Sequence, residues 1–110
     1  MSYSVLSIPP FDRQLKRLAK KFPSLKKEIA LLFDSLVEEP KQGKFIGHDC
    51  YKIRLSIESK GKGKRGGARV ITYIQVTKTA VYLLSIYDKS EQDDISEKAV
   101  LSLVKQISPG

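Results

Sequence analysis

Lys52, Arg54, Arg69 and Tyr87 are the side chains whose types and spacing suit chemistry on an anion. Lys52 and Arg54 lie two apart in the alternating segment Tyr51-Lys52-Ile53-Arg54-Leu55-Ser56-Ile57. They therefore share one strand face, and Tyr51, Ile53, Leu55 and Ile57 share the other. Three fixed cations and a phenol gathered on one open sheet face would hold phosphate or carboxylate through charge-assisted hydrogen bonds. A second basic group sits between Glu58 and Gly67, where Lys60, Lys62, Lys64 and Arg65 are interleaved with glycines and no acid follows Glu58. Such a loop can wrap a phosphate backbone. It is not a Walker A loop, because no glycine is followed by Lys-Ser or Lys-Thr and a helix.

The elements that must position these residues are three strands in a meander: the segment around Tyr51–Ile57, then Ala68–Ile74, then Ala80–Tyr87. Keeping the apolar faces together requires a parity in the pairing. Leu55 opposite Val70 satisfies it and sets Arg69 beside Ser56. The same rule, with Val76 near Ala80, sets Thr72 opposite Leu84 and Arg69 opposite Tyr87. The expected open-face row is Ser56, Arg69, Tyr87, flanked by Lys52 and Arg54.

Upstream, Tyr3 to Ile8 reads as a short strand, and Pro9-Pro10 suits the first turn of a helix. Phe11, Leu15, Leu18, Ala19 and Phe22 form its apolar stripe, and Pro23 ends it. Its basic remainder reads as a solvated face. Ser24 is the expected cap of a second helix with the stripe Leu25, Ile29, Leu32, Phe33, Leu36, stopping before Pro40, so the two make a helical hairpin. Lys41 to Asp49 reads as a connection. After Tyr87, Ser90-Glu91-Gln92-Asp93 fits a capping box, with Ser96 as a second possible cap. The last helix carries Ile95, Ala99, Val100, Leu103, Val104 and Ile107 on one stripe, which would pack on the sheet.

At 110 residues the chain is expected to be a single domain, 1–110. Its one cysteine, Cys50, rules out an internal disulfide and is read as a buried hydrophobe; His48 is read as an unpaired surface residue. No metal site or cofactor is expected. No apolar run nears the roughly 18–20 residues of a membrane helix, and the N-terminus lacks a signal-peptide layout, so a soluble cytoplasmic protein with no membrane partner is expected. Net charge is +8 and is uneven: residues 1–69 hold 16 Lys/Arg against 7 Asp/Glu, and residues 70–110 hold 4 against 5. That field makes nucleic acid the first partner to test and acidic protein the second.

Three segments in order carry a resemblance: Asp49-Cys50-Tyr51-Lys52-Ile53-Arg54-Leu55, SKGKGKRGGARVITY from Ser59, and YLLSIYDKSEQDDIS from Tyr82. With the order of elements, they make the chain resemble the RelE superfamily of bacterial type II toxins. The long basic loop and the Tyr-x-Lys-x-Glu ending, Tyr87 to Glu91, look most like the HigB branch. The resemblance implies a compact, microbial-ribonuclease-like α+β fold. Its sheet would be mainly antiparallel, with an N-terminal helical hairpin, a C-terminal helix, and helices on one side.

It also implies a metal-independent mRNA interferase with no small-molecule cofactor, which cuts mRNA in the ribosomal A site and is blocked by a cognate antitoxin. By resemblance Lys52, Arg54 and Arg69 fall on basic active-site positions, with Arg69 steadying phosphate charge. Where founding members carry a catalytic arginine after the lysine that ends the last strand, this chain has Lys89 then Ser90. Where they carry a tyrosine in the following helix, it has Ser96. That leaves Tyr87, its pKa lowered by cations, or Lys52 as candidate base, and Lys89 to hold phosphate or protonate the leaving group. Lys60, Lys62, Lys64 and Arg65 would grip RNA phosphates. Two other classes stand beside this one: a non-catalytic RNA-binding protein, and a ParE-like inhibitor of DNA gyrase.

Overall fold

The computed structural model describes residues 2–61 and 66–107. Its elements run β1 (Ser4–Ser7), α1 (Pro9–Lys21), α2 (Leu25–Glu38), β2 (Lys44–Gly47), β3 (Cys50–Leu55), β4 (Ala68–Gln75), β5 (Ala80–Asp88) and α3 (Glu97–Val104), with single 3-10 turns at Glu58–Lys60 and Val76–Lys78. The strands form one sheet in the order β1-β5-β4-β3-β2, antiparallel except for the parallel β1–β5 pair. This is an α+β architecture with an N-terminal pair of helices and a C-terminal helix.

The helices begin and end where the sequence punctuation directs. Pro9 and Pro10 occupy the first turn of α1, where their missing amides cost nothing. Phe11 and Leu18 become fully buried, and Phe22 nearly so. Ser24 stands at the cap position of α2 without capping it. Its hydroxyl bonds Glu28 and Ser59 instead, while Glu28 Oε2 takes the amide of Glu58 at 2.6 Å. The first turn of α2 thus grips the base of the basic loop. Leu25, Ile29, Leu32 and Leu36 form the buried stripe of α2.

Two features of the sheet depart from expectation. The connection Lys41–Asp49 contains a strand, β2, bounded by Gly43 and Gly47 at positive φ and turning back through His48 and Asp49, also at positive φ. At Gly43 a Cβ would lie 2.4 Å from the Lys52 carbonyl oxygen, so only glycine lets this segment cross β3. Second, Ile53, not Leu55, faces Val70, which moves the β3–β4 register by two and sets Arg54 opposite Arg69. The parity holds across β3–β4, so the side chains of these two strands keep their expected faces. Arg69 does face Tyr87, but an irregularity after Ile71 shifts Thr72 onto Leu83 and Gln75 onto Ala80.

The core lies between the Ile53–Val70–Ile86 face and the first two helices. β1 pairs only with Ala80–Leu83; beyond that, α1 covers the edge of β5, and Gln14 Oε1 accepts from the Ile86 amide and the Ser85 hydroxyl at 3.1 Å. Asp94, Ile95, Glu97 and Val100 gather beside Lys52, which sets the start of α3 on the Lys52 side of the sheet, away from the face that packs on α1 and α2. Ser96, not Ser90, caps α3, accepting from the Ala99 amide at 3.1 Å; the Ser90 amide is taken by Asp88.

Asp88 ends β5 almost wholly buried and pairs with Lys60, whose ammonium also reaches Ser90 at 2.7 Å and lies 5.7 Å from the Phe22 ring centroid. Burial opposes ionisation of Asp88, but Lys60, the Ser90 amide and Lys21 outweigh it and leave the pKa lowered. Because the folded value is depressed, this contribution is present above the ordinary carboxylate pKa and lost as pH falls through the folded one. Lys60→Ala would strand a buried carboxylate. We expect a loss of about 3 kcal/mol in urea unfolding, the low end for a broken buried pair because Lys21 and the Ser90 amide remain. A loss under about 1 kcal/mol would show that the pair does not organise the loop base.

Candidate functional site

A cleft of about 940 Å³ opens where β2 stops short along β3. Its basic lining is Lys44, Lys52, Arg54, Arg69 and Lys89; its acids are Glu28, Asp93 and Asp94; Leu31, Leu32 and Leu55 supply apolar wall. Strand geometry accounts for the cations. Lys44 faces Lys52 across β2–β3, and Arg54 faces Arg69 across β3–β4, so the Lys52 face acquires a ladder of positive charge. Lys89 joins from the end of β5. Of the four cations expected at the site, all line this cleft. The realised cross-strand row is Arg54, Arg69, Tyr87, with Arg54 in the place expected for Ser56.

The four cations are held differently. Arg54 is exposed and has no hydrogen-bond or ion-pair partner among the described residues. Arg69 is 6% exposed, with Nη1 donating to the Ala68 carbonyl at 3.2 Å. Lys52 Nζ donates to Asp94 Oδ1 at 2.9 Å, and Lys89 Nζ to Asp93 Oδ1 at 2.5 Å and the Asp93 carbonyl at 2.8 Å. Lys52 and the Ile95 amide pull the Asp94 pKa down. The Asp93 and Asp94 side chains are 95% and 63% exposed, and exposed pairs of this kind contribute about 0–1 kcal/mol.

Tyr87 overturns an expectation. It is 3% exposed and does not line the cleft, and the carboxylate its hydroxyl senses most strongly is Asp94. Burial, then Asp94, pushes its pKa up to about 12, and Arg69 only partly opposes them. Counting cations alone missed the acids that arrive six and seven residues later. At neutral pH Tyr87 is a phenol, able to donate a hydrogen bond and unable to accept a proton. Lys60 is likewise committed to Asp88, and Lys62, Lys64 and Arg65 lie outside the described residues. His48 is paired, its Nε2 3.2 Å from Glu97 Oε2. Cys50 is buried and its thiol pushed up to about 11 by burial and Asp49, as an inert hydrophobe should be.

No family model matches the sequence. Among solved structures, a double mutant of the Escherichia coli toxin RelE in the free state superposes with a TM-score of 0.62 at 22% identity, covering 98% of this chain and 100% of that one. The isolated E. coli RelE toxin gives 0.58 at 20% identity, covering 96% and 100%. The toxin-antitoxin complex RelBE2 of Mycobacterium tuberculosis gives 0.58 at 21%, covering 80% of this chain and 92% of the matched one. The fold is that of the RelE toxins.

Within this RelE-like fold, Glu28, Lys44, Asp93 and Asp94 are charged cleft residues that sequence reasoning passed over, and the two aspartates hold expected site cations. Their signal was present: acids in close succession directly after a strand end that carries Tyr87 and Lys89. Among the described residues no three His, Cys, Asp or Glu side chains gather as metal ligands, and no helix is long and apolar enough to cross a membrane. A folded pKa above the ordinary tyrosine value means Tyr87 stabilises the fold below about pH 10 and loses that contribution as pH rises toward 12. We expect the Tyr87 Cζ carbon signal of labelled protein to stay unshifted up to pH 10. A midpoint between pH 7 and 8 would restore it as a candidate base.

Proposed function

We propose that this protein is a toxin of a type II toxin-antitoxin pair and acts as a ribosome-dependent mRNA endoribonuclease. The observation that carries this reading is the lining of one cleft of a RelE-like fold by Lys52, Arg54, Arg69 and Lys89, with Tyr87 the cross-strand partner of Arg69. RNA supplies its own nucleophile. The ribose 2′-oxygen forms a bond to phosphorus, the bond from phosphorus to the 5′-oxygen breaks, and the products are a 2′,3′-cyclic phosphate and a 5′-hydroxyl. The protein must stabilise the pentavalent phosphate and move one proton off the 2′-oxygen and one onto the 5′-oxygen.

Arg54, exposed in the cleft, and Arg69, held by its strand, would take equatorial phosphate oxygens through forked donors. Lys89 holds phosphate or protonates the leaving oxygen. Tyr87, fixed as a phenol, donates a hydrogen bond and does not act as base, which leaves Lys52, released from Asp94, as the remaining candidate of the original pair. Lys62, Lys64 and Arg65 of the basic loop would add phosphate contacts whose strength falls with salt. Cytoplasmic ribosomes with their mRNA are the proposed target, and an acidic antitoxin segment the complement of the basic face. One matched relative is a toxin crystallised in a complex with its antitoxin.

The engagement of Lys52 and Lys89 by carboxylates favours a second reading, an RNA-binding protein without catalysis. Primer extension on mRNA in purified translating ribosomes separates the two. Wild type should cut within the A-site codon. Arg54→Ala should slow single-turnover cleavage about a hundredfold, the scale of one lost oxyanion donor, and Arg54→Ala/Arg69→Ala should abolish it while melting as a folded protein. Binding without cleavage by wild type would select the RNA-binding reading; neither would turn attention to gyrase.

A further inference from the structure

Between Lys89 and Lys98 the chain has no basic residue and four acids: Glu91, Asp93, Asp94 and Glu97. Three of the four meet a cation and the fourth meets a histidine. Glu91 takes Arg17 at 2.9 Å, Asp93 takes Lys89 at 2.5 Å, Asp94 takes Lys52 at 2.9 Å, and Glu97 lies 3.2 Å from His48. The outer two contacts tie the segment to α1 and to the β2–β3 turn. The inner two engage cations that line the cleft.

The segment is shaped for this task. Asp94 Oδ1 also accepts from the Ile95 amide at 2.8 Å, and the Asp94 carbonyl accepts from Gln92 Nε2 at 3.0 Å, so its carboxylate is aimed by its own backbone. Ile95 is half-buried beside it and anchors the turn into α3. Yet the inner pairs are the solvent-exposed kind that competing anions displace. Tyr87 Oη is buried and lies near enough to Asp94 for that carboxylate to oppose its ionisation, so the strap covers the phenol as well as Lys52.

We propose that residues 90–97 form an acidic strap that stands in for the RNA backbone, with the Asp93 and Asp94 carboxylates occupying two phosphate subsites at Lys89 and Lys52. This rests on the RNA-cleaving reading above and extends it. Binding is an exchange: RNA phosphates displace the two carboxylates, Lys52 and Lys89 change partners, and the Tyr87 hydroxyl is uncovered. Free RNA must compete with the strap for those cations, whereas a surface that supplies additional contacts overcomes it. The free protein is thereby restrained against stray RNA.

The test compares wild type with Asp93→Asn/Asp94→Asn, which keeps side-chain shape and removes the charge. A second variant, Asp34→Asn/Glu38→Gln, removes two acids from the exposed surface of α2. Anisotropy of a labelled single-stranded 12-nucleotide RNA is measured across a salt series. The strap variant should bind about tenfold tighter at 100 mM salt, and its slope of log K against log salt should steepen by about 1.4, two phosphates at about 0.7 each. The α2 variant should show less than a threefold gain and an unchanged slope. Equal gains in both variants, or a strap variant no tighter than wild type, would overturn the proposal. Acetylation rates of Lys52 and Lys89, read by peptide mass spectrometry without RNA, should rise several-fold in the strap variant alone; unchanged rates also overturn it. Faster acetylation with no RNA binding by any protein would remove RNA as the ligand and the stand-in role with it, so that failure of the functional reading is seen separately from failure of the clamp.

Discussion

Everything at the candidate site depends on the pairing of Ile53 with Val70 and of Val70 with Ile86 across three strands. Those side chains must be buried, and a strand that commits its odd positions to the core presents its even ones to the other side. Lys52 and Arg54 therefore have no choice of face, and Arg69 and Tyr87 follow from register. A slip of one residue on β3 would sink two cations into the core, which makes the basic ladder as secure as the core itself. The site is positioned by burial of residues that never touch it.

The charge of the chain is arranged in two layers. α1, the strands and the loop at Glu58–Gly67 carry the positive excess, and the segment after Asp88 sets carboxylates against Lys52 and Lys89. The buried Lys60–Asp88 pair at the loop base and the exposed pairs at the cleft obey different energetics. The first cannot be broken without stranding a charge in the interior, whereas the second exchange with any anion of suitable geometry. Structure and responsiveness are thus assigned to different pairs within a few residues of one another.

Much of this was legible in the sequence, and the misses have physical causes. Proline and the apolar periodicities placed α1, α2 and β3–β5, and parity placed Lys52, Arg54, Arg69 and Tyr87 on one face. β2 was missed because Lys44-Phe45-Ile46-Gly47 is short, lacks alternation, and is bounded by glycines that read as loop. The register moved by two because Ile57 packs into the core and the turn at Glu58–Lys60 absorbs residues that a bare hairpin loop would not. The irregularity after Ile71 was invisible, since β5 is buried nearly throughout and offers no alternation to violate. Lys60 read as a loop cation because its partners, Phe22 and Asp88, are distant in sequence. The Tyr87 environment was misjudged for a similar reason: the cations were on the strands, but the acids were on a turn whose path the sequence does not dictate.

On the proposed function the sheet face that carries Arg54 and Arg69, and not the basic surface of α1, receives the RNA backbone. Side-chain NMR of arginine-labelled protein titrated with single-stranded RNA tests it directly, because the Nε–Hε signals of Arg54 and Arg69 report the cleft and those of Arg13 and Arg17 report the helix. Saturable shifts are expected at Arg54 and Arg69 with Arg13 unmoved. Shifts confined to Arg13 and Arg17, with Arg54 and Arg69 unchanged at saturation, would contradict it.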